Sequence, residues 1–142
     1  MRLLLSLLIA LSLPAFAQER PSEDEIIANA TDIPPEEWRE LTEGNVVTYY
    51  DSEGEFFANE YYEEDDSVRI HLSGSFCMNG SWTDWEGLYC FSWERGEPSC
   101  FRHVRYEDEI YVIDDEAEPG EKVQSVTRIG PLPYGCTVMQ GA

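Results

Sequence analysis

The chain has 142 residues and carries 29 acidic side chains against nine basic ones, a formal charge of −20. A surface this negative excludes nucleic acid and anionic membrane surfaces as partners, since phosphate recognition requires a basic face. It suits a cationic partner such as a basic protein, or it serves solubility alone.

The first 17 residues have the three parts of a secretory signal in order. Arg2 supplies the positive charge, an apolar run follows it, and Pro14 precedes the small-residue site Ala15-Phe16-Ala17. The run is shorter than the roughly 20 residues that span a bilayer. Cleavage after Ala17 would leave 125 residues, with eight basic against 29 acidic groups and a formal charge of −21. That length fits one domain. The expected product is periplasmic or secreted, with no membrane contact after cleavage.

Residues 18–44 read as an acidic helical segment. Ser22-Glu23-Asp24-Glu25 has the capping-box form, with Ser22 as N-cap. A second helix start follows at Thr31-Asp32-Ile33-Pro34-Pro35-Glu36-Glu37, where proline and acids suit the first turn. Trp38 and Leu41 share one face of that helix, and Gly44 stops it. These helices are expected to cover an edge or end of the domain.

Residues 45–142 read as β. Strands are expected at 46–50, 55–62, 68–72, 75–78, 80–83, 88–93, 100–106, 109–113 and 123–129, separated by Gly- and acid-rich turns. Val68, Ile70 and Leu72 alternate cleanly onto one face. No helical stretch separates the strands, so a parallel α/β sheet is excluded. The expected fold is mainly β, a small antiparallel up-and-down meander closed into a barrel or strongly curved, with one or two short N-terminal helices.

Cys77, Cys90, Cys100 and Cys136 form an even set in an exported domain, which predicts disulfides. Four cysteines allow three pairings. If Cys90 faces Cys100 across a hairpin, Trp93 faces Glu97 and Gly96 falls at the left-handed position of a three-residue loop. Cys77 and Cys136 then pair by elimination, closing a loop worth about 3–4 kcal/mol. The spacings contain no C-x-x-C, so neither a metal site nor a thioredoxin-like redox role is expected.

The chain calls for no cofactor and no metal. It has no G-x-S-x-G elbow and no D-x-[DN]-x-[DN]-G calcium loop. Only His71 and His103 are of a residue type that could serve as a general base near neutral pH; each lies on a strand face that points either into a barrel or to solvent. With 29 acids, a pair of carboxylates carries almost no information about catalysis. Trp82, Trp85, Tyr89, Phe91, Trp93 and Phe101 concentrate around the expected hairpin. They are core packing or an aromatic binding surface, with Trp82, Trp85 and Trp93 the candidate binding residues.

The stretch Cys77-Met78-Asn79-Gly80-Ser81-Trp82, then Leu88-Tyr89-Cys90-Phe91-Ser92-Trp93, then Cys100-Phe101 resembles a recurring pattern. Small, largely uncharacterised exported β-domain proteins of Gram-negative bacteria show G-x-W, then C-F-x-W, then C-F. Upstream, Phe56-Phe57-Ala58-Asn59-Glu60-Tyr61-Tyr62 is similar to the aromatic, Glu-containing strand that precedes the pattern there. The resemblance covers roughly residues 44–113. It implies a lipocalin-like or avidin-like periplasmic β domain and supplies no catalytic residues.

The leading expectation is a non-enzymatic binding or interaction domain, with a cationic protein or a small apolar ligand as partner. The alternatives are an inhibitor of a cationic exported enzyme, such as a lysozyme or protease, and a small hydrolase using His71 or His103.

Overall fold

A computed structural model describes residues 20–74, 76–131 and 135–136. The expected signal peptide, residues 1–17, lies outside the described residues. Helix α1 spans Glu23–Asn29, strand β1 Thr31–Asp32 and helix α2 Pro35–Thr42. Eight longer strands follow: β2 Val46–Tyr50, β3 Phe56–Tyr62, β4 Ser67–Leu72, β5 Phe76–Trp85, β6 Leu88–Trp93, β7 Ser99–Tyr106, β8 Glu109–Ile113 and β9 Val123–Gly130. Each pairs antiparallel with the next, and β9 returns to pair with β2. The sheet is therefore a closed, up-and-down, eight-stranded barrel, as the strand spacing predicted.

Two expected strands, at 75–78 and 80–83, are one strand, β5. Gly80, the expected start of the second of them, lies inside β5 and is a point of close approach. A Cβ built on it would lie 2.5 Å from Cε3 of the Trp93 ring and 2.7 Å from the Ser92 carbonyl oxygen. The glycine makes room for an aromatic ring on the next strand. Gly80→Ala is expected to cost roughly 1–3 kcal/mol through overpacking, read as a lowered unfolding midpoint in urea.

Alternation divides the barrel into two cores. Inside, Val47, Ala58, Tyr62, Val68, Ile70, Trp82, Tyr89 and Phe91 pack together. Outside, Val104, Tyr111, Ile113 and Val123 form a second cluster that Ile26 of α1 covers. Ser22 caps α1 as expected, accepting from the Glu25 N–H. The reciprocal half of the capping box is missing, because the Glu25 carboxylate accepts from the Tyr106 hydroxyl at 2.7 Å instead.

Helix α2 closes one end of the barrel. Pro35 stands at its first turn, Gly44 follows it at φ +73°, and Trp38 is fully buried among barrel residues. The Trp38 ring meets Tyr62 edge-on at 5.9 Å and Tyr89 at 6.1 Å, and lies 4.4 Å from His103. The Tyr89 hydroxyl donates to the Ile33 carbonyl at 2.6 Å, fixing the chain just before the helix. Arg39 pairs with Asp66 and lies over the Trp82 ring, and Arg105 reaches Glu37 at 2.8 Å. The N-terminal segment is thus built into the barrel: α2 plugs it, while β1 pairs with the end of β7 that β6 leaves open.

Both expected disulfides form, Cys90–Cys100 and Cys77–Cys136. The first joins directly opposed residues whose Cα atoms are 4.0 Å apart. Gly96 has the expected left-handed φ of +97°, but the β6–β7 ladder ends at Phe91–Ser99, so Trp93 and Glu97 do not pair. There β6 follows β5 instead, with the Glu94 N–H donating to the Asn79 carbonyl at 3.0 Å. No described helix is long and apolar enough to cross a membrane.

Candidate functional site

The end of the barrel opposite α2 holds a cavity of about 270 Å³. Its wall comes from the start of β3 (Phe57), the end of β4 (Leu72), the start of β5 (Met78), the end of β6 (Trp93), the start of β7 (Phe101) and the start of β9 (Gln124). All these positions lie at strand ends away from Trp38. Trp93, Phe101 and Gln124 are only half-buried, so water reaches the cavity. The barrel is therefore packed solid at the α2 end and hollow at the other.

Two titratable residues stand at the inner limit of this space. Glu60 is on the inward face of β3 with Ala58 and Tyr62, and only 4% of it is exposed. Its Oε2 accepts from the hydroxyls of Tyr49 and Tyr62, each at 2.6 Å. Burial pushes the carboxyl up to about 7, and the two tyrosine bonds oppose that shift without cancelling it. Burial and the neighbouring Glu60 charge hold both tyrosines well above their ordinary range.

His103 is the second. It is 1% exposed, and its ring lies 4.1 Å from that of Tyr89. Burial pushes it down to about 3, so it is a neutral ring at physiological pH. Its Nδ1 has no hydrogen-bond partner among the described residues. A catalytic histidine is commonly oriented by a bonded carboxylate; among the described residues none bonds His103, and its ring packs against those of Trp38 and Tyr89.

His71 lies elsewhere. It faces outward from β4, opposite Cys77, beneath the Gly135 backbone. His71, Cys77 and Cys136 are the one described group at metal-ligand distances, but both sulfurs are held in their disulfide.

The candidate aromatics separate. Trp82 is buried and stacks on Tyr89 at 5.7 Å, so it is core. Trp93 lines the cavity and stacks on Phe91 at 5.7 Å. Trp85 is 61% exposed at the tip of the β5–β6 turn, between Asp84 and Glu86. Glu60 was not singled out from sequence, although alternation along β3 puts it on the face of Ala58 and Tyr62.

These features define a class of protein: a disulfide-linked antiparallel barrel, plugged at one end and carrying a part-apolar cavity at the other. No protein family, curated protein or solved structure matches the chain.

Proposed function

We propose that the protein is a periplasmic or secreted, non-enzymatic binding domain that holds a small, largely apolar ligand in the barrel cavity. The observation that carries this reading is the half-hollow barrel. Aromatic and aliphatic side chains line it with a few polar groups, Glu60 at its inner limit among them, the usual composition of a small-ligand site. Its volume, about 270 Å³, lies just below the usual range for such sites and suits only a small ligand. The two disulfides, the secretory form of residues 1–17 and the resemblance to exported lipocalin-like domains support the compartment.

The test is calorimetry with a neutral, ring-bearing probe such as 2-phenylethanol, on the native protein and on Met78→Trp, which fills the cavity. One-to-one binding that Met78→Trp abolishes is the expected result. Absence of binding to the native protein, or binding that Met78→Trp leaves intact, overturns the reading.

A second reading, an inhibitor of a basic exported enzyme, rests on Trp85. An exposed indole between two acids suits a cationic protein surface. Capture of a basic enzyme that Trp85→Ala abolishes would favour it over the cavity.

A further inference from the structure

The polar groups that reach the cavity are of one electrostatic kind. Glu60 and Asp114 line it, together with Ser99, Gln124 and His103, and among the described residues no Lys or Arg lines it. Glu60 is satisfied on one side only. Both tyrosine hydroxyls donate to Oε2, and no described residue donates to Oε1. Oε1 is not sealed off, so on the cavity side it stays open to water or to a donor carried by a ligand.

We infer that the cavity selects small amines with an apolar body, the ammonium bonding Glu60 Oε1 and the body lying among Phe57, Leu72, Trp93 and Phe101. This rests on the cavity-binding reading above. A fatty acid or other carboxylate would meet Glu60 and Asp114 with no cation to receive it. A bare metal ion would find an aromatic wall where it needs several oxygens. A hydrocarbon would leave Oε1 unpaired. An ammonium supplies up to three donors and a charge opposite to the carboxylate. The acidic surface, with formal charge −20 over the chain, also raises the local concentration of cations.

The Tyr49 and Tyr62 hydroxyls bond Glu60, and His103 and Asp114 line the same cavity. His103 stays neutral, so Glu60 is the group that changes charge near neutrality. A carboxyl near 7 is mostly protonated at pH 6 and mostly ionised at pH 8, while an alkylamine remains charged at both. Amine binding is then about tenfold tighter at pH 8 than at pH 6.

The experiment compares 2-phenylethylamine, 2-phenylethanol and 3-phenylpropionate by calorimetry on the purified protein, with enough salt to screen surface charge. The amine is expected to bind at least about tenfold tighter than the alcohol, and the acid not measurably. Glu60→Gln keeps an acceptor for both tyrosines. It should bring the amine to the affinity of the alcohol on the same variant and remove the amine's pH dependence. If the alcohol or the acid binds as well as the amine, or if Glu60→Gln leaves the amine unaffected, the amine inference is overturned and the cavity reading stands. If none of the three binds, the cavity reading itself falls.

Discussion

Replacing Trp38 with alanine is expected to lower the unfolding free energy by about 3–5 kcal/mol, the usual cost of deleting a large buried aromatic. Trp38 is fully buried, and its ring is held by Tyr62, Tyr89 and His103, which come from three different strands. Removing it takes the central contact from the plug and lets water into the solid half of the barrel. Urea unfolding measures the loss. Trp38→Phe keeps a ring and should cost about 1–2 kcal/mol. Trp85→Ala, at the exposed turn, should stay within about 0.5 kcal/mol. If Trp38→Ala proved no costlier than Trp85→Ala, α2 would be a docked appendage and the barrel core would stand without it.

The second large effect is a stability profile shaped by two buried groups of opposite sign. His103 is pushed down to about 3 from its ordinary 6.5, so the folded state resists its protonation. Its contribution is intact above about pH 6.5 and is lost as the pH falls towards 3, by roughly 4–5 kcal/mol in all. Glu60 is pushed up to about 7 from 4.5, so the folded state resists its ionisation. Its contribution is intact below about pH 4.5 and is lost as the pH rises through 7, by about 3 kcal/mol. Between 4.5 and 6.5 the two slopes oppose each other. Urea unfolding of native protein and Glu60→Gln across pH 4.5–8 isolates the second limb: the stability of the variant relative to native should rise by about 3 kcal/mol over that range. His103→Phe should gain on the native protein as the pH falls below 6.5. A pH-independent difference in either pair would mean that the group is solvated in the folded state.

Much of the barrel was legible in the sequence because strands leave a period of two. β2, β6 and β8 fall where β-branched and aromatic runs end at turn residues, and the expected bounds of these three match the structure. The Cys90–Cys100 register followed from a hairpin argument that needed only local residues. β5 was expected as two strands with a gap at Asn79, but the ladder with β4 runs through Asn79 and Gly80 without a break. That Gly80 makes room for a ring depends on the position of Trp93 on the neighbouring strand, which the local sequence does not show. β1 was missed because two residues carry no period; its place is set by the end of β7 that β6 leaves unpaired.

The site was less legible than the fold. Glu60 is one of 29 acids, and composition gives no reason to choose it. Its strand neighbours do, since Ala58 and Tyr62 flank it on the same face. Whether that face meets packed side chains or open space depends on how eight strands close, which is a property of the whole sheet. His103 has the same history: Phe101 and Arg105 share its face, and only closure and the arrival of Trp38 made it a buried ring.

The pairing of β1 with β7 has a consequence for the order in which this chain takes shape. Asp32 and Arg102 are 70 residues apart in sequence and 2.8 Å apart in space, and Tyr89 reaches Ile33 across 56 residues. A chain that emerges N-terminus first therefore presents β1 and the plug helix long before their partners exist. Loops of that size are slow to close, and contacts between distant segments form late. The hairpins from β2 to β7 can assemble locally, while the leading segment waits for the last third of the chain. The segment that carries β1 and the plug helix is thus among the last parts of the molecule to become fixed.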